Sequence, residues 1–344
     1  MKRFLTIILL VIAFLILKTL YQAGQFKKIT GHFDGEVSRI YHNMPGPEDI
    51  QMDYLTGNLF ISASNRRPDN TANSKDGIYL LATANDDAPR LLKNDIKSEF
   101  HPHGISLLRA DSTVYLFAVN HTKKGEFVES FRFDNNQLFH LASYSSEKLC
   151  CPNDLVATDI NKFYVSNDHG SKRGIMRMLE DYLRIPRASL LYFNGESFSK
   201  AAGPFNYANG VNVSSDRKTL YLTATTGNSL LVFSIDSNDE LHRERIIDLA
   251  TGVDNIDVDK DGNLWIAAHP KLLDFVKHVK DSINLSPSQV LKLSPVEDYN
   301  FSVEEIYLND GSEVSASSVA VYYQNQLFIG TVLNHTLLRA KLKN

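Results

Sequence analysis

Cysteine is nearly absent: the chain holds two, Cys150 and Cys151, and they are neighbours in sequence. Adjacent cysteines cannot tie distant segments together, so no disulfide framework is legible and stability must come from packing. The plain reading of the pair is two small residues in a loop or strand, because a zinc site needs further Cys or His at ligand spacing. A concentrated basic face is missing too. The 36 Lys and Arg are scattered among 40 Asp and Glu, for a formal net charge of -4, which argues against nucleic acid as a partner. No G-x-S-x-G sequence occurs, so the nucleophile elbow of a serine hydrolase has no support.

Long apolar runs are also scarce; the one that matters extends from Phe4 to Leu17, broken only by Thr6. It is shorter than the roughly 20 residues of a spanning helix, but Leu20 and Tyr21 extend it and Lys18 can snorkel to the interface. No A-x-A-like site follows, so an uncleaved anchor is expected ahead of a removed signal peptide. Lys2 and Arg3 favour a cytoplasmic N-terminus with the body on the far side, or secreted if the segment is cleaved. The expected division is residues 1–24 as anchor or signal and 25–344 as one catalytic body.

With 43% hydrophobic and 22% charged residues, that body has the apolar content for a substantial core. Its length allows two ordinary domains or one large all-β unit. A repeat decides between them. Turn residues, then an apolar or β-branched residue, an aromatic, and Ile, Leu or Val recur six times, with aromatics at Phe60, Tyr115, Tyr164, Tyr221, Trp265 and Phe328, spaced by 55, 49, 57, 44 and 63 residues. Further β-rich segments follow the copies, among them 78–82, 128–133, 189–193, 229–235 and 289–293. Several short strands per unit, six units long, predict a six-bladed β-propeller. An open first or last blade would expose a sheet edge, so residues 36–41 are expected to join the last blade.

Two stretches depart from the β pattern. Residues 172–187 place Ile175, Met178, Leu179, Tyr182 and Leu183 near helical spacing, ending before Pro186, and 271–283 do the same with Leu272, Phe275, Val276 and Val279. Each reads as a short helix, either decorating the propeller or forming a lid or membrane-touching surface over the tunnel mouth.

Ten to twelve residues before each aromatic lies a polar set: Glu48-Asp49, His103, Asn153-Asp154, Asn209, Asp254-Asn255 and Ser317-Ser318. If the innermost strand of each blade carries the aromatic near one end, these sets meet at the other end, round the axis. Singly, each is an ordinary turn former or solvated pair. Jointly they offer carboxylate and amide oxygens, which suit calcium and its 6 to 8 oxygen ligands better than zinc, or magnesium with its retained waters.

The segments 47–50, 102–106, 119–121, 153–156, 163–169, 208–212, 253–256, 269–270 and 327–332 closely resemble the paraoxonase and arylesterase family, in order along the chain. The resemblance implies a six-bladed propeller with two calcium ions that hydrolyses lactones and aryl esters. It implies a catalytic calcium on Glu48, Asn153, Asn209, Asp254 and Asn255, and a structural one on Asp49, Asp154 and the carbonyl of Ile105. The family's histidine pair matches His103 and His121, and Asp168 with His169 matches a further motif near the pocket. His103 is then the candidate general base, with His121 passing the proton outward. The chain lacks the terminal cysteines of the animal members, and Ala268 stands where they carry a free cysteine, so ring closure by disulfide is excluded and the relationship is distant. Two other readings compete: a propeller that only binds a ligand or partner, and a sugar lactonase of the gluconolactonase type. The apolar segment near 175–183 favours a hydrophobic lactone or ester as substrate.

Overall fold

The computed structural model describes residues 1–67, 74–85 and 87–343. Its body is a six-bladed β-propeller in which each blade is built on four antiparallel strands ordered outward from the axis, with Lys93–Asn94 added in parallel to the outer strand Gln137–Tyr144 of the second blade. The innermost strands are Pro47–Asp53, Pro102–Ala110, Pro152–Asp159, Ala208–Val213, Gly252–Val258 and Ser317–Tyr323, and each touches its two neighbours in a closed ring. The ring is sealed by Gly35–His42, which lies antiparallel to Thr336–Leu342 as the outer strand of the sixth blade. The expected joining of 36–41 to the last blade is therefore what the chain does.

One expectation is corrected. The repeated aromatics are not on the innermost strands but on the second strand of each blade. Gln51 pairs with Phe60, Asp257 with Trp265 and Val321 with Phe328 across the inner hairpins. A polar set and its aromatic are 10 to 12 residues apart because a β-turn folds one back beside the other, not because one strand spans both. The aromatics lie between blades. Phe60, Tyr164, Trp265 and Phe328 are buried to within 1% exposure, each in a cluster drawn from two adjacent blades. Trp265 stacks on Tyr322 at 4.8 Å with planes 9° apart, while its Nε1–H donates to Asp259 at 3.0 Å. Truncating such a ring to Ala costs about 3–5 kcal/mol.

The inner ladder is interrupted at the same place in all six blades. Register shifts fall at Pro47/Asp49, Pro102/Ile105, Pro152/Leu155, Ala208/Val211, Val253/Ile256 and Ser317/Val319. A bulge inserts an unpaired residue and re-aims the side chains beside it. Here each bulge coincides with a polar set, which explains how consecutive residues of one strand turn toward the axis rather than into the blade interfaces.

Among the described residues three helices complete the fold: α1 (Lys2–Gln22), α2 (Ile175–Leu183) and α3 (Leu272–Lys280). The second and third are shorter than their apolar spacing predicted. Arg184 adopts a left-handed conformation that stops α2, and Asp281 turns extended after α3. None of the α1 residues is buried, but the chain just beyond it is fastened to the propeller. Ala23 is 6% exposed, its carbonyl accepts from Leu272 N at 3.0 Å, and Thr19 Oγ1 donates to Tyr182 O at 3.0 Å. Gly24 sits so close to Pro270 O that a Cβ would come within 2.0 Å.

Candidate active site

A cavity of about 400 Å³ opens at one end of the tunnel, beneath α2 and α3. Its floor is polar and includes Glu48, His103, Asn153, Asn209, Asp254, Asp168 and His169; its walls are mostly apolar, with Ala23, Tyr182, Leu272, Phe275, Val279 and Leu333. Five of the six blades thus contribute polar side chains through the bulged starts of inner strands or the end of the strand that follows. The close approach requires glycine where a strand passes behind a neighbour's site. A Cβ on Gly104 would lie 2.4 Å from Asp154 Cα, and one on Gly210 would lie 2.6 Å from Asn255 Cα.

The electrostatics centre on Glu48, 2% exposed. Its Oε1 accepts from Asn255 Nδ2 at 2.9 Å, and its Oε2 lies 3.6 Å from His103 Nε2 and 3.9 Å from an Arg66 nitrogen. Burial opposes its charge, but His103, Arg66 and the Asn255 amide outweigh burial and hold the carboxyl down at about 2. Burial also lowers His103, although Glu48 pulls the other way. Asn209 Nδ2 donates to Thr225 Oγ1 at 2.9 Å, which fixes its amide with Oδ1 turned away.

Among the buried side-chain oxygens of the described residues that lack a hydrogen-bond partner, Glu48 Oε2, Asn153 Oδ1, Asn209 Oδ1 and Asn255 Oδ1 form one group. They come from four different blades and all belong to the one set that the family resemblance assigned to a cation. Leaving such an acceptor buried and unpaired costs about 1–3 kcal/mol each. A hard cation takes oxygens of this kind, so the residues present fit a calcium ion.

Asp49, Ile105, Asp154 and His121 lie off the cavity wall, whereas Asp168 and His169 are on it. Asp49 accepts from Ile50 N at 2.8 Å and Ile105 N at 2.7 Å; Asp154 accepts from Leu155 N and Val211 N, both at 2.7 Å. Burial raises both carboxyls well above the usual range, and neighbouring negative charge adds to it. Two buried carboxylates that repel each other through a tunnel wall are the electrostatic setting that a second cation relieves. His121 stands behind His103, its Nε2 2.8 Å from His103 Nδ1, and its own Nδ1 is 2.6 Å from Glu126 Oε2. His169 is held between Asp168 at 2.7 Å and Asp181 of α2 at 2.9 Å, so this pair clasps the helix to the propeller.

Sequence reasoning missed several residues of the cavity. His269 Nε2 is 2.8 Å from Asp254 Oδ2 and its ring stacks on Phe275 at 4.1 Å. Arg66 reaches Glu48 and the carbonyls of Gly46, Ser64 and Pro102 from the loop after the strand Asn58–Ala63. Thr225, Arg177 and Tyr207 also line the space. For His269 and Thr225 a signal existed, since each lies at or just past the end of a second strand, in phase with the repeat; Arg66 has none. A turn groups Asp236, Glu240 and His242 closely enough for a metal, but Asp236 already accepts from Glu240 N and faces His242 Nε2, and none of the three lines the cavity.

A propeller whose inner strands converge on a half-polar, half-apolar cavity with a carboxylate-and-amide floor defines the class. Residues 46–341 match the family model described as Arylesterase. Serum paraoxonase/arylesterase 2 of Rattus norvegicus is 33% identical over 303 residues, 85% of either chain, and serum paraoxonase/lactonase 3 of Oryctolagus cuniculus is 32% identical over the same shares. The chain belongs to the arylesterase family. Among solved structures, a gluconolactonase from Xanthomonas campestris superposes with a TM-score of 0.55 at 16% identity, covering 92% of this chain and 99% of its own. A calcium-binding regucalcin from Agrobacterium tumefaciens gives 0.54 at 14%, covering 90% and 96%. At those identities the two share the fold.

Proposed function

We propose that the chain is a calcium-dependent hydrolase of hydrophobic lactones and aryl esters. The observation that carries this reading is the group of four partnerless buried oxygens from four blades, three of them on residues that line a cavity with mostly apolar walls. Glu48, Asn153, Asn209, Asp254 and Asn255 would hold one ion, and Asp49, Asp154 and the Ile105 carbonyl a second. When bound at the cavity floor, calcium supplies Lewis-acid polarisation of a carbonyl and charge to offset an oxyanion. The chain's own residues do the rest. Apolar side chains of α3 and Tyr182 of α2 hold the acyl or ring portion and exclude water from it. His103, half-buried and with its charged form disfavoured by burial, has its Nε2 toward the cavity as the base that deprotonates a water, and His121 takes up the proton relayed from it. Asp168 and His169 position α2 over the substrate.

The N-terminal segment we read as a retained anchor with the propeller on the extracytoplasmic side. A 21-residue apolar helix is about 30 Å long, enough to span a bilayer core, and Thr19 and Ala23 line the cavity mouth. A sugar lactonase would need mostly polar walls to meet hydroxyl groups, whereas the walls here are mostly apolar, with polar groups such as Arg177 and Thr225 in the minority.

The test is hydrolysis of phenyl acetate and a medium-chain lactone by the full chain in detergent, with and without a calcium chelator, beside Asn209→Ala and His103→Gln. Turnover lost to the chelator and in Asn209→Ala is the expected result. Calcium bound tightly without turnover of either substrate would instead favour the binding-module reading.

A further inference from the structure

His121 has two ring nitrogens, and the direction of its contact with His103 decides whether His103 can act as a base. If His121 Nε2 carries its proton, it donates to His103 Nδ1. The neutral His103 ring is then protonated on Nε2 and has no lone pair for the cavity. If His121 is protonated on Nδ1, the order reverses. His121 Nε2 accepts from His103 Nδ1–H at 2.8 Å, and His103 Nε2 is left as a free base toward the cavity. Nothing in the two rings alone chooses between these chains.

Glu126 makes the choice. It lies directly across the hairpin from His121, paired with it in register, at the start of the strand Gly125–Asp134. Its Oε2 is 2.6 Å from His121 Nδ1. Lys172, reaching over from the loop before α2, stands 3.7 Å from its other oxygen. A carboxylate can only accept, so His121 Nδ1 must bear the proton, and a charge-assisted bond of this length is the stronger kind. His103 Nε2 lies 3.6 Å from Glu48 Oε2, outside ordinary hydrogen-bond distance.

We propose that Glu126 is a positioning residue that sets the tautomers of His121 and His103, and so holds His103 Nε2 ready to accept a proton. The inference rests on the reading of His103 as the base. In the step it serves, a water O–H bond breaks as its oxygen bonds to the carbonyl carbon. The proton goes to His103 Nε2, and His103 Nδ1–H passes to His121 Nε2. The imidazolium so formed keeps its Nδ1–H toward Glu126, whose negative charge offsets it. The carbonyl π pair moves onto its oxygen; as that pair re-forms the carbonyl, the bond from that carbon to the leaving oxygen breaks, and a proton returns from His121 through His103 to that oxygen.

Glu126 does not line the cavity, which separates its effect from substrate binding. With phenyl acetate and the full chain, Glu126→Ala is expected to lower kcat about 10- to 100-fold with KM little changed. Glu126→Gln retains an acceptor oxygen without the charge and should restore part of the loss. A readout independent of turnover is the ring 15N spectrum of His121: protonated on Nδ1 in the native chain, mixed between tautomers in Glu126→Ala. Native kcat in both Glu126 variants, with His103→Gln and His121→Gln impaired, would overturn the role of Glu126 while leaving the base intact. Native turnover in His103→Gln would remove the base and the proposal with it. An Nδ1-protonated His121 in Glu126→Ala would overturn it regardless of rates.

Discussion

Asp254 and His269 share a buried hydrogen bond of 2.8 Å between Oδ2 and Nε2, and the histidine is clamped flat against Phe275 of α3. This couples the floor of the cavity to its roof. A group that orients a metal-binding carboxylate typically changes metal affinity 10- to 100-fold when removed. On the proposed calcium site, His269→Ala is expected to weaken calcium binding by about that factor in a calorimetric titration, with the propeller still folded. Unchanged affinity would mean Asp254 needs no orienting partner.

Gly210 faces Asn255 Cα and the Asp254 carbonyl so closely that an added methyl would sit 2.6 and 2.8 Å from them. Backbone cannot swing aside as a side chain can. Gly210→Ala should destabilise the fold by about 1–3 kcal/mol, seen as a lower Tm. It should also disturb the cavity floor on the next blade. A variant with the native Tm would show that the inner strands slide past one another.

The clasp at His169 makes a pH prediction. Burial disfavours its charge, but hydrogen bonds to Asp168 and Asp181 outweigh that and raise it to about 9, above the ordinary value near 6.5. A raised histidine contributes stability that is complete below the unfolded value and lost as pH climbs through the folded one. Stability should thus decline between about pH 6.5 and 9, with α2 becoming more open to proteolysis. In His169→Gln that decline should flatten; an identical slope would dismiss the clasp.

Two N-terminal deletions separate anchoring from architecture. Removing residues 1–18 takes away apolar helix that touches little. Removing 1–24 also deletes Ala23 from the cavity wall and its bond to Leu272 N. The longer deletion should show the lower Tm and the higher KM for a hydrophobic lactone, measured side by side. Equal values would mean the mouth closes without this segment.

The cysteines should behave as two separate free thiols. Cys150 is half-buried and Cys151 buried, so a thiol reagent should modify one quickly in the native chain and two after unfolding. Two fast thiols would show that the turn before Pro152 opens readily.

The propeller was legible because inter-blade packing demands a large ring in every blade, and that demand leaves a period in the sequence. Phe60, Trp265 and Phe328 mark it plainly. Placing those rings on the innermost strands went wrong because periodicity reports spacing, not which arm of a hairpin holds a residue. The convergence of Glu48, His103, Asn153, Asn209 and Asp254 could be read from phase alone. The bulges that aim them could not, since a register shift is a property of two strands together. Arg66 and Glu126 stayed hidden for a related reason. Each is an ordinary charged residue beside a turn until the fold sets it against Glu48 or His121.

The strand Gly35–His42 is sealed against Thr336–Leu342, so the first β-strand of any length waits for the last. During synthesis some 300 residues must emerge before its partner exists, and non-local pairing of this kind is slow and exposes sticky edges meanwhile. A chain held at a membrane by α1 would spend that interval with one blade short of an edge. Ring closure is then the final folding event, and truncating the last ten residues should yield not a five-bladed enzyme but an open, aggregation-prone arc.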